Sequence, residues 1–271
     1  MLLSTLGFSL MGVFIKLSGD LPVMQKVVFR SYIIMITVLF MMRYYQVPLK
    51  GIRHWRLLLL RSSIGTVGIL FNYYAIDHLI LSDSNILFRL STFFLLLFSW
   101  LFLGEKVSTR QLFTILVAFI GVLFIVKPQM NIQLFPYLIA LLGAMFAAGA
   151  YTLVRVLGHK EQPLVVVFIF ATFTSIILTP LAIINFQPMT FNQVLYVILA
   201  GISASLGQVG ITYAYKHAPA KEVSIYNYFG VIFSTIFSIF IFDAVPDALS
   251  LIGYVIIFAT AFHMYRTASK A

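Results

Sequence analysis

Residues 73–83, YYAIDHLILSD, and residues 212–222, TYAYKHAPAKE, share a tyrosine–alanine pair, a histidine and a closing acid in one register. Outward from this pair the register holds. Leu60, Gly68, Lys16 and Gly19 map onto Leu199, Gly207, Arg155 and Gly158, and after a single-residue slip Glu105 and Val107 fall on Asp243 and Val245. A shared register of this kind marks two copies of one structural unit.

The composition says where that unit lives. Of 271 residues, 61% are hydrophobic and 10% charged, against about 25% charged in a soluble domain. Such a chain cannot clothe its own surface in water, which makes it an integral membrane protein. Its apolar runs are near-continuous rather than alternating, which disfavours a transmembrane β-barrel. Polar and Pro/Gly punctuation divides it into ten hydrophobic segments, at about 1–17, 23–43, 56–76, 82–103, 110–127, 134–156, 163–184, 192–215, 220–242 and 248–266. A spanning helix needs about 20 such residues, and the loops are too short for a soluble domain. The repeated unit is therefore five helices long, 1–130 and 131–271. Because five is odd, the second copy enters the membrane from the opposite face. Inverted repeats of this kind characterise alternating-access carriers, which bind solute between their halves.

The net charge of +10 is distributed as a topology signal and gives no reason to expect a nucleic-acid partner. Arg43, Lys50, Arg53, Arg56, Lys106, Arg110, Arg155, Lys160, Lys216, Lys221, Arg266 and Lys270 lie on one side. The other side carries Lys16, Lys26 and Lys127 against Asp20, Asp77, Asp83, Asp243 and Asp247. The positive-inside rule puts both termini in the cytoplasm. The opening apolar run lacks a basic leader and reads as a first span. There is no cysteine, so disulfide, thiolate-metal and cysteine-nucleophile chemistry are excluded. No hydrolase, nucleotide-binding or metalloprotease motif is present; an enzyme, a cofactor and a metal site are not expected.

At the level of motifs the chain resembles the EamA-type carriers of the drug/metabolite transporter superfamily. The resemblance rests on FSLMGVFIKL (8–17), FRSYI (29–33), RSSIGTVGILFNYYAIDHLILSDSNIL (61–87), LFLGEKVSTRQ (101–111), FIGVLFIVKP (119–128) and YAYKHAPAKEVSIYNY (213–228), in that order. It implies a ten-helix carrier in a bacterial cytoplasmic membrane, with a central cavity moving small metabolites. It does not imply which solute, because one scaffold serves many.

Polar stripes locate the expected cavity. Asn85, Arg89 and Thr92 share one face of span 4; Ser224 and Tyr228, with Asn227 beside them, repeat it in span 9. Span 8 offers Ser205, Gln208 and Thr212, span 3 Asn72 and Tyr73, and span 6 Tyr151. Polar groups facing hydrocarbon are costly, so these stripes should point inward. Spans 5 and 10 are apolar along most of their length and should be peripheral. Arg30 and Arg89 start roughly 10 Å below the less basic surface. An arginine at that depth has two outlets: it snorkels to the interface or turns into the cavity. Arg61, nearer the basic side, is expected to snorkel. With no acid in the middle of any span, an inward Arg89 needs carbonyls, water, Asn or Tyr partners, or an anionic group on the solute, and a bidentate carboxylate or phosphate would suit its guanidinium. The expected contacts are Arg89, Asn85, Tyr151, Asn227, Tyr228, Tyr73 and Gln208, with Arg30 a contact or a gate anchor. The rival assignments are an exporter of drugs or amphiphiles, in which aromatic side chains dominate, and a non-transporting membrane scaffold. The partners are a small-molecule substrate and the lipid bilayer, with the working unit a monomer or a homodimer.

Overall fold

The computed structural model describes residues 1–49, 51–104, 109–126, 134–158, 160–217, 226 and 229–268. They form an all-helical bundle of α1 (Leu2–Leu17), α2 (Val23–Tyr44), α3 (Trp55–His78), α4 (Leu81–Arg89), α5 (Ser91–Leu103), α6 (Thr109–Val126), α7 (Leu134–Gly158), α8 (Pro163–Ile184), α9 (Phe191–His217), α10 (Phe229–Phe242) and α11 (Ala248–Ala268). The chain is an integral membrane protein in which helices follow the ten expected segments. Leu81–Phe102 crosses as one path, interrupted at Leu90, whose N–H donates to the Leu87 carbonyl at 3.0 Å, one residue tighter than an α-turn. Among the described residues, five paths are long and apolar enough to cross a bilayer by length and composition. The 24-residue α3 is not among them, since Arg61, Ser62, Ser63 and Asn72 dilute its apolar content.

The packing partners cross between the halves. Extensive contacts join α3 to α7, α1 to α9, α2 to α8 and α6 to α11. Exchanging α1 for α7, α2 for α8, α3 for α9 and α6 for α11 reproduces these same pairs, as a two-fold relation between the copies requires. The duplicated motif is preserved down to local geometry. The His78 ring stacks on Tyr74 and its Nδ1 lies 2.8 Å from the Tyr74 carbonyl; the His217 ring stacks on Tyr213 with Nδ1 2.9 Å from that carbonyl. α6 and α11 lie mainly against each other, at the periphery.

Small residues set the close approaches, since lipid removes most of the hydrophobic drive for helix association. A Cβ on Gly7 would stand 2.7 Å from the Ser203 carbonyl oxygen and 2.9 Å from the Gly207 nitrogen. Ser4 Oγ seals the same crossing by donating to the Gly207 carbonyl at 2.6 Å. The α1–α2 turn needs Gly19, whose φ of +68° is left-handed.

We expect Gly7→Ala to force α1 and α9 apart and cost about 1–3 kcal/mol. A lower thermal-unfolding midpoint in detergent checks this; an unchanged midpoint would mean that the crossing is not held to this spacing.

Candidate functional site

The bundle has two chemically different ends. One, the basic face, gathers Arg53, Arg56, Lys160 and Lys216; the other gathers Lys16, Lys26, Asp77 and Asp83. At the latter, Lys26 Nζ donates to Asp77 Oδ1 at 2.7 Å with its own side chain fully buried, and Lys16 Nζ donates to the Leu79 carbonyl at 2.7 Å. One helical turn deeper on the same two helices stand Arg30 and Tyr73, both buried.

Both snorkelling outlets considered for Arg30 and Arg89 are closed. They are 2% and 5% exposed and turned into the protein. The expectation for Arg61 is overturned: it is 2% exposed, and its guanidinium carbon lies 3.7 Å from the centre of the Phe170 ring on α8. The reason is local. Gly65, one turn along α3, has no side chain, and a Cβ there would approach Arg61 Nη1 to 3.3 Å and Phe170 Cε2 to 2.9 Å. The aromatic face then offers the cation a partner that the interface does not. Arg89 lies against Gly230 in the first turn of α10, where any Cβ would run into the guanidinium. Ser9 completes that junction by donating to the Gly230 carbonyl at 3.0 Å.

Tyr151 on α7 is partly buried, and its ring centre lies 5.8 Å from that of Tyr215. Nε and Nη1 of both Arg30 and Arg61, the Tyr73 hydroxyl and Gln208 Nε2 are buried without a hydrogen-bond partner among the described residues. Among the described residues neither Arg30 nor Arg61 has a carboxylate in ion-pair range. This arrangement can receive an anion: five planar donors per guanidinium, aromatic walls, and phenols to orient oxygen atoms.

Other polar positions are spent on the backbone. Asn85 Nδ2 donates to the Leu81 carbonyl at 2.9 Å, Ser205 Oγ to Gly201 at 2.9 Å and Thr212 Oγ1 to Gln208 at 2.8 Å. In an apolar setting the nearest acceptor for such a side chain is the carbonyl one turn back. Asn227, Tyr228 and Ser224 lie outside the described residues. Arg61 is the buried arginine that the sequence alone set at the interface; the Gly65 spacing on α3 was the available signal.

Contacts between the halves close both ends. Opposite the basic face, Gln25 Nε2 donates to the Gln187 carbonyl at 2.9 Å while the Gln187 N–H donates to Gln25 Oε1 at 3.0 Å. Gln193 Nε2 reaches the Ser18 carbonyl at 3.2 Å, and the Tyr254 hydroxyl donates to Asp83 at 2.5 Å. At the basic face, Glu161 of the α7–α8 loop accepts the N–H groups of Arg53 and His54, both at 3.0 Å, and lies 3.0 Å from His54 Nδ1. It thus caps the start of α3 from the other half. A cavity of about 520 Å³ lies beside this contact, lined by Pro48, Gly51, Gly158, Lys160, Glu161 and Lys216.

Comparisons with known proteins agree with this architecture. The EamA-like transporter family matches twice, over residues 1–127 and 134–266. The chain is 34% identical over 270 residues to the pseudopaline exporter CntI of Pseudomonas aeruginosa, covering 98% of this chain and 94% of that one. It is 27% identical over 261 residues to solute carrier family 35 member G1 of Mus musculus, covering 90% and 71%. A solved crystal structure superposes with a TM-score of 0.71 at 16% identity, covering 99% of this chain and 98% of that one, a likeness of fold. The chain belongs to the EamA-like transporter family, a family of multi-pass membrane transporters of small molecules.

Partial burial works against the charge of Glu161, but the two backbone N–H groups and the His54 ring outweigh it and hold the carboxyl below its ordinary value. A carboxyl depressed in the folded state contributes stability above its unfolded pKa and loses it as pH falls through the folded value. Glu161→Ala should therefore lower the thermal midpoint at pH 7 by the equivalent of about 1 kcal/mol. The gap between parent and variant should close as the pH drops below the glutamate range. A pH series of midpoints checks both; a gap that persists in acid would assign the effect to packing.

Proposed function

We propose that this chain is a secondary transporter that carries a small organic anion across the bacterial cytoplasmic membrane by alternating access, in the direction of export. The two five-helix halves, 1–130 and 131–271, are inverted copies with both termini in the cytoplasm, so the basic face is the cytoplasmic one. Solute binds between them at Arg30, Arg61 and Arg89, with Tyr73, Tyr151 and Gln208 orienting it.

The observation that carries this reading is the pair of buried arginines whose Nε and Nη1 donors meet no acceptor among the described residues. Burying an unpaired cation costs several kcal/mol, and an ionisable side chain inside a membrane bundle marks a substrate path. An anionic group repays that cost only while bound, which is what a carrier requires. The outward direction rests on likeness to an exporter. Release requires that one set of contacts between the halves opens while the other stays closed. The Glu161 contact guards the cytoplasmic mouth and the Gln25–Gln187 pair the outer one.

The test is a thermal-shift screen of purified protein against organic mono-, di- and tricarboxylates, phosphorylated metabolites and cationic drugs. An anion at 100 times its Kd should stabilise by about 2.7 kcal/mol. Arg30→Gln and Arg61→Gln should each weaken it by about 1.5–3 kcal/mol, roughly 10- to 150-fold in Kd. The same compound should then move in proteoliposomes, and not in the variants. Stabilisation by cationic or apolar compounds alone, indifferent to the arginines, would overturn the reading in favour of a drug exporter.

A further inference from the structure

The cavity of about 520 Å³ at the basic face has walls from both halves. Gly51 and Ile52 of the α2–α3 loop form one side; Gly158, Lys160 and Val165, with Lys216 near the end of α9, form the other. The ends of α7 and α9 meet here, and a Cβ on Gly158 would lie 3.8 Å from the Lys216 Cα. Its size is that of a small-molecule pocket, about 300–1,000 Å³.

The charge on these walls is unbalanced. Lys160 and Lys216 are both exposed, and neither has a carboxylate in ion-pair range among the described residues. Glu161, the acid of the same wall, has Oε1 committed to the N–H groups of Arg53 and His54 and to the His54 ring. The other acids expected on this face, Glu105 and Glu222, lie outside the described residues; each adjoins a lysine in the sequence, Lys106 and Lys221. A unit positive charge about 7 Å away in water raises the local concentration of a monovalent anion about 3-fold. Two that line one cleft act together.

Beneath the cavity lies an apolar layer. Leu58, Val154, Leu157 and Val166, none more than 3% exposed, pack as one cluster with Ile52 against them. One turn further in on the same three helices stand Arg61, Tyr151 and Phe170. From Val165 to Phe170 the rise along α8 is roughly 8 Å. An ion pays heavily to shed its hydration in such a layer. In this conformation the cavity is therefore separate from the buried arginines, although the same helices line both.

We propose that this cavity is a loading site for a small carboxylate or phosphate anion, held by Lys160 and Lys216 while the layer beneath is closed. Its role in transport rests on the reading of Arg30 and Arg61 as the solute's place; binding in the cavity itself does not.

The chain has no cysteine. Gln162 lines the cavity, is exposed and makes no side-chain bond to the first turn of α8, so Gln162→Cys supplies a single reporter in the purified protein. At low salt, Lys160→Gln with Lys216→Gln should slow its modification by an anionic methanethiosulfonate reagent about 10-fold, and Lys160→Arg with Lys216→Arg should keep the parental rate. A cationic reagent of similar size should respond in the opposite sense. Citrate or inorganic phosphate should protect the cysteine about 3-fold or more relative to potassium chloride of equal ionic strength, and the glutamine pair should abolish that protection. Rates indifferent to the lysines, or protection by neither anion, would overturn the site. So would protection that survives the glutamine pair. Arg61→Gln separates the two readings. Protection that persists in it places the anion in the cavity, whatever the central arginines bind. Protection lost with Arg61 alone would overturn the loading site and leave the central one standing.

Discussion

Charge held away from water is the constraint around which this bundle is organised. Lys26 meets it with Asp77 on the neighbouring helix, Lys16 with a backbone carbonyl, and Arg61 with an aromatic ring. None of these is a full replacement for hydration, and several guanidinium donors of Arg30 and Arg61 remain unsatisfied among the described residues. The surrounding packing holds them there at a cost in stability. Gly65 and Gly230 are the visible concessions, since each leaves out a side chain where an arginine must fit. A bundle optimised for stability alone would have filled these places with leucine, as replacement of buried ion pairs by apolar residues often stabilises a protein.

The two ends use different chemistry for one job. Opposite the basic face the reciprocal amide contact of Gln25 and Gln187 is neutral, backed by Gln193 and by Tyr254 on Asp83. At the basic face one carboxylate gathers three donors from the other half. His54 and Gln193 occupy equivalent places in the two repeats, and so do Glu161 and Pro22. The duplicated frame is thus conserved in geometry while its closing contacts have diverged in charge.

Much of this was legible in the sequence because it is local or periodic. The ten segments follow from apolar run length, and the two-copy organisation from one register that also placed His78 and His217 alike. What escaped was set by distant pairs. Arg61 turns inward because Phe170 arrives from another helix, and Arg89 rests on Gly230 for the same kind of reason. Apolar run length does not encode such meetings; a glycine one turn from an arginine, as at Gly65, is the local trace they leave. The interruption at Leu90 has neither glycine nor proline to announce it. The polar stripes were real, yet Ser205 and Thr212 bond back to their own helices, a choice made by the absence of better acceptors rather than by residue type.

The interleaved pairing of the halves has a consequence for biosynthesis. α1 finds α9, α2 finds α8 and α3 finds α7, so the first five segments leave the ribosome before their principal partners exist. At about 5–20 residues per second the wait is roughly 7–30 s. Throughout it Arg30 and Arg61 sit in a half-built bundle, held by water defects, lipid phosphates or the insertion machinery. The last helices to emerge withdraw these cations from such provisional partners. Assembly of the second half is therefore also the step that creates the desolvated charge, and a truncated chain presents the membrane's proteases with a positively charged, incompletely packed intermediate.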